Sequence, residues 1–177
     1  MKIKDLCHIN KYSISKLDEE ERILYLDTSN LTENRIDALQ EFVLSEAPCR
    51  AQRKVQDKTI LYSMVRPNLK HYGILNKPPQ NLVVSTGFIT LDIIDKNIVN
   101  PDYLYYYIIQ ESITNYLHSI ASNSVSSYPS INPTDLGNLN IKLPAIHIQN
   151  RVAKILKDID DKIAINREIN RNLSLSA

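Results

Sequence analysis

Two carboxylates followed by an amine, Asp160-Asp161-Lys162, have the Asp-x-Lys spacing with which metal-dependent nucleases hold an ion and activate water. They fall inside a run of apolar residues at helical spacing, where such charges are solvated flanks, so nuclease chemistry is not expected. An Asn-Pro-Pro followed by an aromatic ring would stack a flipped base for methyl transfer. In Asn76-Lys-Pro-Pro-Gln80 a lysine intrudes and glutamine stands in place of the ring. Gly73, Gly87 and Gly137 are the only glycines, so no glycine-rich loop can wrap a nucleotide or a methyl donor. Cys7 and Cys49 stand far apart, with no C-x-x-C and no histidine at zinc-finger spacing, and both read as reduced, packed thiols. Serines are present without a nucleophile elbow, and His8, His118 and His147 lack evident partners. Neither a catalytic residue, a metal nor a cofactor is expected.

The chemistry that remains is charge. The net charge is +1, which by itself argues against a simple basic coat for nucleic acid. Its distribution is uneven: residues 1 to 45 carry six Lys/Arg against nine Asp/Glu, whereas 46 to 80 carry seven against two. Residues 81 to 147 return to two against five, and 148 to 177 carry six against four. Such an asymmetric field can turn one basic face toward a polyanion.

The elements that must position these charges can be read from periodicity. A chain of 177 residues can bury one good core, with an appendage. No stretch approaches the roughly 18 apolar residues of a membrane span, and the start lacks the apolar run of a secretory signal, so a cytoplasmic protein is expected. Ile23 to Leu26 reads as a buried strand closed by Asp27-Thr-Ser-Asn30, a turn or else a helix N-cap. Further strands are predicted at Thr59 to Val65 and at Leu82 to Ile94, the latter interrupted by Gly87 as a bulge would interrupt it. Pro101 opens one amphipathic helix running through Ile120, in which Tyr103, Tyr105, Tyr106 and Tyr107 serve packing and surface rather than base stacking. The segment 121 to 133 is loop, Asn132 to Asp135 a short turn, and Leu139 to Leu143 a last strand. Beyond Pro144, apolar residues recur at Ile148, Val152, Ile155, Ile159, Ile169 and Leu173 with no Pro or Gly between them. This is a long helix with a coiled-coil-type seam, roughly 39 Å over 148 to 173, and it wants a partner. Lys162 and Asn166 fall on the seam, with Asn166 a candidate for fixing register.

Several strings occur together in a fixed order: Leu26-Asp-Thr-Ser-Asn30, Ala47-Pro-Cys-Arg-Ala51, Leu61-Tyr-Ser-Met-Val-Arg-Pro-Asn68 and Val84-Ser-Thr-Gly-Phe88. They end in Leu143-Pro144, then Gln149 and Leu156-Lys-Asp-Ile-Asp160-Asp-Lys-Ile163. No one string is diagnostic, but the series resembles a target-recognition domain of type I restriction-modification specificity subunits along the whole chain. The resemblance implies an α/β (α+β) domain with a mixed β-sheet over residues 1 to 146, gripping one half of a bipartite double-stranded DNA site. It implies a spacer helix over 147 to 177 that pairs antiparallel with another such helix and docks methyltransferase subunits, and with them a restriction subunit. Methyl donor, ATP and magnesium would belong to those partners.

Within that frame Arg50, Arg53, Lys54, Lys58, Arg66, Lys70 and Lys77 are candidates for phosphate contact, and an arginine among them for a guanine edge. Tyr72 and Tyr128 are candidates to lie against sugar or base, and Ser124, Ser126 and Ser127 to bond phosphate or base edges. Ile148, Val152, Ile155, Ile159, Asn166, Ile169 and Leu173 form the dimerisation and docking seam. Two departures stand out: the family carries two domains and two helices per chain where this sequence has one of each, and Asn10-Lys-Tyr12 stands where a glycine is usual. A homodimer would restore two-fold symmetry and favour an interrupted, symmetric site. The rival expectation is a protein-interaction adaptor that dimerises through the helix and uses no DNA.

Overall fold

The structure is a computed structural model that describes residues 1–15, 22–123 and 129–175, the last three of these by backbone alone. Ten strands are present among the described residues: β1 (Cys7–Ile9), β2 (Arg22–Leu26), β3 (Leu31–Thr32), β4 (Arg35–Ile36), β5 (Gln40–Val43), β6 (Ala51–Lys54), β7 (Ile60–Ser63), β8 (Tyr72–Ile74), β9 (Leu82–Ser85) and β10 (Phe88–Ile93). Four helices follow: α1 (Pro101–Ile108), α2 (Glu111–Ser122), α3 (Pro133–Gly137) and α4 (Ile146–Leu175).

The strands build two four-stranded sheets and a two-stranded ribbon, β3-β4. One sheet has the order β1-β10-β7-β8 and is antiparallel throughout. The other, β5-β2-β9-β6, is mixed, because β2 and β9 run parallel while the outer pairs are antiparallel. Strand alternation sorts the apolar side chains into layers. Ile60 and Tyr62 of β7, with Ile89 and Leu91 of β10, face a core closed by Leu104, Ile108, Leu117 and Leu136 of the helices. Leu61 and Phe88 point the other way, and meet Leu26, Leu82 and Val84 between the sheets. Ile23, Tyr25 and Val83 cover the far side of the mixed sheet. Burial on both faces is why β2, β7 and β9 read as continuous apolar runs.

Three expectations are corrected. The run from Leu82 to Ile94 is two strands in different sheets, joined at Thr86-Gly87, and Gly87 is a site of close approach rather than a bulge. A β-carbon there would lie 2.9 Å from the Thr28 methyl. The single helix from Pro101 becomes two, because Gln110 takes extended backbone angles (φ −56°, ψ 141°). The re-aimed second piece buries Thr114, Leu117 and Ala121. Leu139 to Leu143 is not a strand: one bridge joins Lys2 to Asn140, flanked by Ile3 N–H donating to the Leu139 carbonyl at 3.1 Å.

The remaining punctuation is as the residues dictate. Asn100 caps α1 by accepting from the Tyr103 N–H at 2.9 Å, with Pro101 in the first turn. Asp135 accepts from the Asn132 N–H at 2.7 Å to close a capping box on α3.

Candidate nucleic-acid interface

Backbone hydrogen bonds gather four chain segments along one rim. The Arg50 carbonyl accepts from the Thr86 N–H at 2.8 Å, and the Gly87 carbonyl accepts from the Met64 N–H at 2.9 Å. The Met64 carbonyl accepts from the Ile131 N–H at 2.9 Å, and the Pro129 carbonyl from the Arg66 N–H at 3.0 Å. The turn Thr28 to Asn30 lies against this rim through the contact with Gly87. Arg50 and Arg66 are both exposed on it.

Two features stiffen the rim. Asp27 caps the turn at 28–30: its carboxylate accepts from the Ser29 N–H (3.1 Å), the Ser29 hydroxyl (3.0 Å), the Tyr25 hydroxyl (2.9 Å) and the Thr28 hydroxyl (3.4 Å). Burial pushes this carboxyl up, but these bonds outweigh it and hold its pKa below the ordinary value. Arg66 has left-handed backbone angles (φ 48°, ψ 69°) immediately before Pro67, a conformation that costs a non-glycine residue on the order of 1 kcal/mol or more. The buried Pro67 and the packing of residues 67–69 on α2 hold it there.

The other basic candidates are placed differently. Arg53 is half-buried: its guanidinium donates to the Asn10 carbonyl at 3.3 Å, its Nε is buried without a partner, and burial lowers its pKa. It ties residues 10–14, which pair with β6, to the sheet edge. Lys54, beside it, lines a cavity of about 420 Å³ with Lys11, Tyr12 and Ser13. Lys70 pairs with Glu33 at 3.2 Å with both side chains half exposed, a contact that solvent screens. Lys58 is engaged with Asp102. Tyr72 is a β8 residue and not part of a loop: its ring is 5% exposed, stacks on Tyr62 at 5.8 Å between centroids, and burial pushes its phenol up to about 12. Ser124, Ser126, Ser127 and Tyr128 lie outside the described residues. Sequence reasoning missed the turn at 28–30 and Thr86 as rim elements, although the Asp27 cap signal was there to be followed.

Cys7 is buried, and burial with the nearby Asp92 charge pushes its thiol up to about 12, far from a thiolate nucleophile. Among the described residues no cluster of three or more His, Cys, Asp or Glu could hold a metal. Among the described residues no helix is long and apolar enough to cross a membrane.

Helix α4 uses two faces. Toward the body it buries Gln149 (1% exposed) and Ala153 (4%), and Asp160 accepts from the Tyr106 hydroxyl at 2.8 Å. Away from the body Ile148, Val152, Ile155, Ile159 and Ile169 remain 36–52% exposed, with Asn166 exposed among them. The Leu173 side chain is outside the description. A cleft of about 840 Å³ separates the farther part of α4 from Tyr72, Tyr105 and the Glu33–Arg35 turn.

A family model described as "Type I restriction modification DNA specificity domain" matches residues 1–175. The Type I restriction enzyme HindI specificity subunit of Haemophilus influenzae is 27% identical over 151 residues, covering 85% of this chain and 33% of that protein. The putative type I restriction enzyme MjaX specificity subunit of Methanocaldococcus jannaschii is 28% identical over 177 residues, covering 94% of this chain and 40% of that one. Among solved structures, the HsdS subunit from Thermoanaerobacter tengcongensis superposes with a TM-score of 0.79 at 21% identity, over 96% of this chain and 43% of its own. The chain therefore spans between a third and two fifths of the curated relatives it matches.

Proposed function

From the premise that the chain belongs to the type I restriction modification DNA specificity domain family, we propose that it reads one half of a bipartite duplex DNA site and catalyses nothing itself. Residues 1 to 146 are the reading body and 147 to 177 the spacer helix. The observation that carries the DNA contact is the rim, where hydrogen bonds collect Arg50, Thr86, Met64 and Arg66 beside a capped polar turn. Arg50 and Arg66 are the cations it presents for phosphate or a guanine edge, with Lys54 and Arg53 at the flanking sheet edge.

The exposed isoleucine stripe of α4 pairs with the same stripe of a second copy, and the pair offers the platform on which methyltransferase and restriction subunits dock. Those subunits supply methyl donor, ATP and magnesium, and the complex works in the cytoplasm on duplex DNA.

The test is selection of bound duplexes from a random pool by the purified chain, followed by salt titration. Enrichment of an interrupted inverted repeat, with affinity falling steeply as salt rises, supports the reading. Absence of enrichment, with no salt-dependent binding, overturns it and leaves the adaptor, which needs only the stripe.

A further inference from the structure

Beyond Asp160 helix α4 faces the body across the cleft with its side chains exposed, so its direction depends on how its first turns are held. Gln149 is buried, and its side-chain amide uses both ends. Its oxygen accepts from the Asn100 N–H at 3.0 Å, and its nitrogen donates to the Ile98 carbonyl at 3.0 Å and the Pro144 carbonyl at 2.8 Å. Asn100, which caps α1, also donates from its side chain to Asn150 at 2.8 Å. One turn on, the buried Ala153 lets the helix lie close, and two turns beyond that Asp160 meets the Tyr106 hydroxyl. Residues 149, 153 and 160 share one helical face. From Asp161 to Asn172 every side chain is exposed.

An apolar residue at 149 would hold the helix by buried area but would leave its rotation and tilt loosely specified, because dispersion and hydrophobic contact lack direction. Three directional bonds from one buried amide, to Ile98 and Asn100 in the chain leading into α1 and to Pro144 in the chain entering α4, specify both. We propose that Gln149 is a positioning residue that locks the angle between the body and α4, with the Tyr106–Asp160 bond as a second tie. On the half-site reading above, on which this consequence rests, that angle sets the distance and rotational phase between two half-sites.

The measurement is the distance between spin labels on the native, exposed Cys49 and on Asn170→Cys, with labelled chain diluted into unlabelled chain so that only intrachain pairs count. Cys7 is buried and escapes the label. The parent is expected to give one narrow distance, and Gln149→Met to lose it for a broad distribution while the thermal midpoint of the body persists. A narrow distance retained in Gln149→Met overturns the proposal. Should that variant not fold, Tyr106→Phe, which deletes one oxygen, decides: broadening supports the lock and an unchanged distance sinks it. In DNA binding, Gln149→Met should lose the preference for one spacing between half-sites while keeping affinity for a single half-site. A parent that binds no duplex refutes the half-site reading, while the label distance still judges the lock.

Discussion

The Lys58 ammonium lies 2.9 and 3.0 Å from the two carboxylate oxygens of Asp102, and also donates to the Asn76 side chain at 2.6 Å. A cation from the most basic segment thereby ties the turn before β7 to the first turn of α1. Both side chains keep about a fifth of their surface (22% and 20%), so the pair is screened less than a surface pair and more than a fully buried one. Lys58→Ala is expected to destabilise the fold by roughly 1–3 kcal/mol in a urea titration. Duplex affinity of the folded variant should stay at the parent's level; a large fall would place Lys58 at the interface.

Charge reversal of Arg50, Arg53 and Lys54 together should weaken duplex binding most at low salt. Each lost phosphate contact flattens the dependence of log affinity on log salt by about 0.9. Because Arg53 also holds Asn10, the variant's melting should be measured alongside its binding isotherms. A native salt slope would remove this edge from the DNA contact.

Gly87→Ala should cost about 1–3 kcal/mol, since its new β-carbon meets the Thr28 methyl at 2.9 Å. Thr28→Ser removes that methyl, so the double variant should recover most of the loss. A thermodynamic cycle on the two positions reads the coupling, and additive effects would mean that the crowding arises elsewhere.

Asp92 is buried, and burial raises its pKa above the ordinary 3.8, although Thr59 and Gln56 donate to one of its oxygens. The folded form therefore binds the proton more tightly than the unfolded form. This group's stabilising contribution is full below 3.8 and is lost as the pH rises through the raised value. Asp92→Asn cannot titrate, so its stability relative to the parent should improve between about pH 4 and about pH 7. Urea unfolding at both values checks this, and a difference that does not move with pH would mean that Asp92 is not perturbed.

Ile155→Asp combined with Ile159→Asp should give a monomer by light scattering across a concentration series. These side chains are 52% and 49% exposed in the single chain, so the body should keep its fold. A dimer that survives both changes would place the contact elsewhere.

Much of the fold was legible because burial on two faces writes itself as unbroken apolar and aromatic runs, as in Ile23 to Leu26 and Ile60 to Tyr62. Pro101 after Asn100 announced the start of α1. Other features carry no local signal. The run is apolar on both sides of Ser85-Thr-Gly87, and one glycine there reads equally as a bulge within a strand or as a break between two strands in different sheets. The break at Gln110 serves packing of α2 and not any propensity of glutamine. Tyr72, beside His71 and Gly73, reads as a candidate to lie against sugar or base, and only its burial and its stacking on Tyr62 reveal a core role. On α4 the isoleucine stripe was plain, whereas the body-facing side, marked by a glutamine and an alanine, was hidden because hydrophobicity is not what docks it.

The passage from β9 to β10 places one short stretch of chain at an interior position of each sheet, between β2 and β6 in the first case and between β1 and β7 in the second. Neither sheet can open along its middle without dragging the other's central strand with it. Amide protons of Leu82 to Ile93 should accordingly exchange with solvent only through the global opening of the body, as a single slow class shared by both sheets. The molecule would then lose its reading surface all at once or not at all, which suits a rim assembled from loops of both sheets.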